Sequence, residues 1–256
     1  TTTGPLGQGL ATAVGMALAE RKLNTKHGNE IVDHFTYVIA GDGCLMEGIS
    51  HEAVSLAGHL KLSKLIVFWD DNSISIDGPT NKTLRDNQEV RFSASGWQVI
   101  SCDGHDPEAI AEAIADAKSS NQPSLIACKT VIGFGTPNKE GTASTHGSPL
   151  GDDEITGTRE AIGWPYGPFE VPDDIVGAWR EAGVRGAVDR EAWETRLVGV
   201  DGAVRDEFNR VMSAVLPKGW ESAIQEIKAE FVAGSPSQAT RVSSGAVLEK
   251  LIVAVP

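Results

Sequence analysis

Two strand-sized apolar runs separated by one helix-sized segment constrain this chain more than any other feature. Residues 35–40 (FTYVIA) and 65–69 (LIVFW) are rich in β-branched and aromatic side chains, apolar at consecutive rather than alternate positions. That is the pattern of strands buried on both faces. Between them, 46–60 shows helical spacing, so the second strand is reached by a crossover and runs parallel to the first. Residues 97–101 and 124–128 read as further strands, 107–119 as an Ala-rich helix begun near Asp106, and 10–22 as an Ala-rich helix ahead of the first strand. The fold class that follows is α/β, a mostly parallel sheet with helices on both faces and right-handed crossovers.

Each of the first two strands ends in a polar word. Gly41-Asp42-Gly43 closes one and Asp70-Asp71-Asn72 closes the next, with Asn72 thirty positions after Asp42. In an open parallel sheet, adjacent strands deliver their C-terminal ends to the crevice where ligands bind, so Asp42 and Asn72 can meet there. A carboxylate and an amide oxygen suit a hard divalent cation such as Mg2+ or Ca2+, with positions left for phosphate oxygens and water. The two glycines permit close approach of backbone to a diphosphate, and the helix after them can aim free N–H groups at it. Taken alone, Gly-Asp-Gly is most often a turn with an Asp cap.

After Lys129 the texture changes, because 133–151 holds five glycines and two prolines and reads as a long loop of functional interest. Helical patterns follow at 152–162, 172–182 and 189–232. The segment 234–237 (GSPS) reads as a linker, and 243–255 as the start of a further element. The chain begins at Thr1 rather than Met and stops at Pro256 just after an apolar run, so it is expected to be cut from a longer polypeptide, with a separate domain with a processed start as the alternative.

A net charge of −13 argues against a polyanion such as nucleic acid as the main partner, though a local basic pocket for phosphate is compatible with it. The apolar runs are strand-sized rather than membrane-span-sized, so no membrane association is expected. Three scattered cysteines, Cys44, Cys102 and Cys128, fit a reducing cytoplasm and offer neither a disulfide framework nor a zinc motif. A dinucleotide-binding oxidoreductase is the main rival among enzymes. Gly4, Gly7 and Gly9 give G-x-x-G-x-G rather than G-x-G-x-x-G, with no strand before them, and no Walker A sequence occurs.

The words TTTGPLGQG, GDGCLMEGISHEA, DDNSISIDG, KTVIGFGTPNK and HGSPLG, in that order, resemble transketolase, and Gly-Asp-Gly followed by Asn is similar to the thiamine diphosphate motif. The likeness is dense to about Trp179 and continues to SSGAVLEKL, which resembles the opening of the family's second domain. Dihydroxyacetone synthases are close but tend to carry Ala where this chain has Gly43, and deoxyxylulose-phosphate synthases differ around both motif strands. Another thiamine diphosphate enzyme, or a non-catalytic cofactor-binding module, completes the alternatives.

The resemblance implies a division into 1–185, a diphosphate-binding domain shortened at its start, 186–238, a helical connection, and 239–256, the start of a pyrimidine-binding domain. It implies thiamine diphosphate with Mg2+ as cofactors, Ca2+ or Mn2+ being substitutes. Asp42, Asn72 and the Ile74 carbonyl would be the metal ligands. Gly41, Gly43 and Asn72 would meet the diphosphate, Gly4 and Leu6 the aminopyrimidine end, and Ile76 and Ile132 would pack on the cofactor. His146, which by itself would read as an exposed loop histidine, is implied to lie near the diphosphate and the reacting carbon as a catalytic residue. Glu47 and Glu52 would join an acidic link between the two sites of a homodimer. His27, His34, His59 and His105 lack such context and read as surface or structural residues.

The implied activity is transfer of a two-carbon ketol unit from a ketose phosphate to an aldose phosphate, in the pentose phosphate pathway of the cytoplasm. The glutamate that activates the cofactor and most sugar-phosphate ligands are implied to lie outside 1–256. The chain by itself is therefore expected to be inactive.

Overall fold

The structure, a computed structural model, describes residues 2–255, so Thr1 of the TTTGPLGQG word and Pro256 lie outside the described residues. The elements run α1 (Gln8–His27), β1 (Thr36–Gly41), α2 (Asp42–Met46), α3 (Gly48–Leu60), β2 (Leu65–Asp71), β3 (Ile74–Ser75), β4 (Gly78–Pro79), α4 (Gln88–Ala94), β5 (Gln98–Asp103), α5 (Pro107–Ser119), β6 (Ser124–Lys129), α6 (Asp152–Ala161), α7 (Asp173–Gly199), α8 (Gly202–Met212), α9 (Trp220–Gly234) and α10 (Thr240–Ala254). Four strands form one parallel sheet in the order β1-β2-β6-β5, and β3 and β4 make a small antiparallel ribbon.

The consecutive apolar runs of β2 and β6 are explained by their central places. On one face, Leu65, Val67, Trp69, Leu125 and Ala127 pack with Leu10 and Val14 of α1, Val54 and Ala57 of α3 and Phe92 of α4. On the other, Ile66, Ile126 and Cys128 pack with Ala113 and Ala117 of α5. Each fully buried Leu, Ile or Val contributes roughly 1.5–3 kcal/mol. Pro107 at the first turn of α5 and the Asp106 side chain, which accepts from the N–H groups of Glu108 and Ala109, start that helix where the sequence suggests.

At β1 the second face is open. Tyr37 and Ile39, which register beside Ile66 and Phe68, are 49% and 79% exposed, and among the described residues β1 pairs on one side only. A cavity of about 560 Å3 runs along this edge, between β1 and the first turns of α1.

Several sequence expectations need correcting. The helix after Gly41 starts at Asp42 rather than Met46 and breaks at Glu47, whose backbone is extended (φ −64°, ψ 140°). Residues 173–199 form one helix instead of two segments, and 189–232 comprises the end of α7, α8 and α9. The 133–151 segment is a loop with one 3-10 turn at Ala143–Thr145.

The chain forms two compact units, 1–187 and 188–256, with the division falling within α7. The second is helical: Trp193 meets Phe208 edge-on at 6.1 Å, and α9 packs on α10. Among the described residues, no helix is long and apolar enough to cross a membrane.

Candidate cofactor and metal site

The C-terminal ends of the four parallel strands form one polar margin in the first unit. Register places Gly41 beside Asp70, Asp70 beside Cys128 and Asp71 beside Lys129, so both polar words arrive at the same edge.

Asp42, first residue of α2, is buried. Its Oδ1 accepts a hydrogen bond from the Trp69 indole at 3.2 Å, while its Oδ2 is buried without a partner. Burial is the main reason its carboxyl is pushed up to about 6, reinforced by Asp71 and Asp70 and opposed by the indole and the Ser73 backbone. An unpaired buried carboxylate oxygen among further acidic groups is a costly arrangement that a cation would relieve.

Across the edge lies the turn Asn72-Ser73-Ile74. Ser73 adopts a left-handed conformation (φ 62°), which for a residue other than Gly, Asn or Asp marks a strained position held by its surroundings. The Asn72 Oδ1 accepts from the Ile74 N–H at 2.9 Å, keeping one lone pair, and the Asn72 amide donates to Asp70 Oδ2 at 3.3 Å. Because α2 packs on β3, the Asp42 helix and the Ile74 strand are neighbours. Among the described residues, no group of three or more His, Cys, Asp or Glu could hold a metal. A donor set of one carboxylate, one amide oxygen and one carbonyl, completed by diphosphate and water, suits Mg2+ or Ca2+ and lies outside that pattern.

Leu6 lies at this end of the sheet, beside Gly43. A Cβ on Gly43 would stand 3.2 Å from Leu6 Cδ1, so the GPL turn lies against the start of α2. Gly7, at φ 79°, caps α1 and touches the start of α3, where a Cβ would stand 2.8 Å from that of Glu47. The N-termini of α1, α2 and α3 therefore converge, an arrangement suited to an anion. Gly4 is exposed with open space around it. The cavity along β1 meets the site only through Leu6, Gly7 and Cys44.

The loop after β6 is fastened to the same edge. Thr130 donates its N–H to the Asp71 carbonyl at 3.2 Å and its hydroxyl to Asp70, and Lys129 donates to Asp71 Oδ2 at 3.2 Å. Ile132 is half-buried and its carbonyl accepts from the Gly141 N–H, which folds the loop back on itself. Gly133 lies against Thr145, so His146 follows directly on a segment packed beside Ile132. His146 is exposed, and Ile76, at the tip of the β3–β4 ribbon, is 70% exposed. Glu47 and Glu52 are exposed as well.

Sequence reasoning missed three supports. Trp69 reads as core because it ends an apolar strand, yet its indole orients Asp42. Arg91 of α4, whose ionisation burial disfavours, donates to the Leu45 carbonyl at 2.9 Å and so secures the last turn of α2. Ser73 carries no signal of its left-handed backbone.

The family described as transketolase, thiamine diphosphate binding domain, matches residues 1–217. The chain belongs to the transketolase family. It is 53% identical to a transketolase of Cereibacter sphaeroides, covering 100% of this chain and 38% of that protein. Among solved transketolases, that of Leishmania mexicana superposes with a TM-score of 0.88 at 39% identity, covering 100% of this chain and 38% of that one. A Pichia stipitis transketolase in complex with sedoheptulose-7-phosphate gives 0.88 at 37% identity, with the same coverage. The chain thus spans under two fifths of the length of these relatives and carries the family's thiamine diphosphate-binding domain.

Proposed function

We propose that this chain is the diphosphate- and metal-anchoring part of a transketolase that moves a two-carbon ketol unit from a ketose phosphate to an aldose phosphate. The observation that carries the proposal is the unpartnered buried Oδ2 of Asp42, facing a turn rich in oxygen donors where three helix N-termini converge. Asp42, the Asn72 amide oxygen and the Ile74 carbonyl would hold Mg2+, with Ca2+ or Mn2+ able to replace it. Gly41, Gly43 and Asn72 would approach the diphosphate, Gly4 and Leu6 the aminopyrimidine end, and Ile76 and Ile132 the apolar faces of the cofactor. When bound, thiamine diphosphate supplies an electron sink for carbon–carbon cleavage and formation.

His146 would stand by the reacting carbon to neutralise phosphate charge or exchange a proton with a substrate oxygen. We assign the protein to the cytoplasm and the pentose phosphate pathway, as a homodimer with two equivalent sites. In that dimer Glu47 and Glu52 would lie near the interface. Residues 1–185 would be the diphosphate-binding domain, 186–238 a connection and 239–256 the start of a pyrimidine-binding domain.

Calorimetric titration of the chain with thiamine diphosphate, with and without Mg2+, tests the anchor. Binding should require the metal and be lost in Asp42→Ala. Equal affinity in that variant, with the same metal dependence, would remove Asp42 from the site. Metal-dependent binding with no ketol transfer in the full-length protein would favour a non-catalytic cofactor module instead.

A further inference from the structure

The turn Asp103-Gly104-His105, between β5 and α5, is interlocked with the chain leaving β6. Gly104 donates its N–H to the Lys129 carbonyl at 2.8 Å, and a Cβ there would stand 2.4 Å from Thr130 Cγ2, so only glycine allows this approach. Asp103 Oδ1 accepts from the His105 N–H at 2.9 Å and fixes the turn. From that position, His105 Nε2 accepts the Val131 N–H at 2.9 Å, and its ring stacks on Phe134 with centroids 4.3 Å apart and planes at 26°. Only a ring nitrogen can take this N–H among the atoms of the side chain, so the bond depends on the imidazole itself.

Two different contacts of one side chain thus hold both sides of Ile132. Thr130, just before this stretch, is itself tied to Asp70 and Asp71, leaving Val131 to Phe134 to be placed by His105. We infer that His105 is a positioning residue, which sets the loop carrying Ile132 against the end of the sheet and thereby tightens cofactor binding at the Asp42 site. This rests on the function proposed above for Ile132 and Asp42. His105 belongs to neither polar word and acts through Val131 and Phe134.

The test separates ring from acceptor, in the full 256-residue chain. His105→Phe keeps a ring for Phe134 but cannot accept, whereas His105→Gln keeps an acceptor without the ring. Exchange of the Val131 amide, followed by NMR, reads the bond directly. It should speed up by about five- to tenfold in His105→Phe, the effect of losing one hydrogen bond, with protection partly restored in His105→Gln. Affinity for thiamine diphosphate with Mg2+ should weaken in parallel, by about the same factor in His105→Phe and less in His105→Gln.

Unchanged Val131 exchange in His105→Phe would overturn the inference, and so would faster exchange with unchanged cofactor affinity. Affinity loss only in variants whose melting temperature falls, without rescue by Gln, would make His105 merely structural and overturn it too. If the unsubstituted chain binds no cofactor, the function proposed above fails and the cofactor half of this inference fails with it. The exchange measurement would still decide whether His105 holds Val131.

Discussion

The Trp69 indole nitrogen stands 3.2 Å from Oδ1 of Asp42 and fixes that carboxylate with its second oxygen buried and unpaired. A strand residue one turn of sheet away from the helix start thus aims the helix's first side chain. Removing the indole should loosen the aim without emptying the pocket of charge. Trp69→Phe is expected to keep most of the packing while weakening metal-dependent binding of thiamine diphosphate by roughly ten- to a hundredfold, the effect of one lost hydrogen bond to a charged group. Calorimetry on the variant checks it, and unchanged affinity would show that the indole plays no part in orientation.

Asp42 also makes the metal-free chain pH-sensitive. Its carboxyl is raised from an ordinary 3.8 to about 6, so between those values the folded state binds the extra proton. Its contribution to stability therefore falls as pH rises from about 4 to 6 and stays low above. Asp42→Asn should raise the melting temperature of the metal-free chain by a few degrees at pH 7.5 and leave it nearly unchanged at pH 4. Thermal melts at the two pH values decide the matter, and an equal gain at both would point to packing rather than ionisation.

Glu154 gives the opposite sign. Both the Asn138 backbone N–H and its side-chain amide donate to this carboxylate, at 3.2 and 2.7 Å, closing the glycine-rich loop onto α6. The side-chain bond, with help from the backbone bond and Lys139, holds the carboxyl below its ordinary 4.5. The stabilising effect is present above pH 4.5 and lost as pH falls through the lowered value. The protection of the Asn138 amide, relative to the intrinsic exchange rate at the same pH, should thus fall in acid, and Glu154→Gln should show the lower protection already at neutral pH. Protection that stays the same as pH falls would contradict this.

Two glycines should respond oppositely to alanine. Gly7 has φ 79° and a Cβ would lie 2.8 Å from Glu47 Cβ and 2.9 Å from Ile49 Cγ2, so Gly7→Ala is expected to destabilise by ~1–3 kcal/mol. Gly15 lies mid-helix in α1 with open space around it, so Gly15→Ala should stabilise by about 0.5–1 kcal/mol. Urea denaturation of both variants is the check; a neutral Gly7→Ala would mean that the two helix starts are not in firm contact.

Cys128 and Cys102 sit side by side on β6 and β5 with their sulfurs 3.9 Å apart. Burial, with the neighbouring thiol adding to it, pushes Cys128 up to about 12, so it stays a thiol at neutral pH. Native iodoacetamide treatment at pH 8 followed by peptide mapping should leave Cys128 unmodified until the chain is unfolded. Rapid modification in the folded state would show that this face of the sheet opens.

The parallel sheet was legible because β2 and β6 are buried on both sides, which leaves consecutive apolar residues that no amphipathic helix of that length would carry. The open second face of β1 was not, since Tyr37 and Ile39 read as interior by type and only the missing cover exposes them. The seven-residue α4 is too short for periodicity to reveal, and its Asn87 cap is a common turn residue. The helical patterns at 172–182 and 189–232 left a gap that α7 bridges through Gly183 and Gly186, since a glycine weakens a helix by about 1 kcal/mol without ending it. At the site, Asp42 and Asn72 stood out by their spacing after two strands. The aiming role of Trp69 depends on which way its ring turns, which composition does not encode.

The one-sided pairing of β1 has a practical consequence for handling the chain. Among the described residues its outer edge pairs with no strand and lies beside exposed Tyr37 and Ile39, a template onto which another strand can add. What keeps copies apart is the net charge of −13, and that repulsion weakens within about 10 Å at 0.1 M salt. Solubility of the chain should therefore fall as salt is added, the reverse of ordinary salting-in, with β1 as the seam along which molecules join.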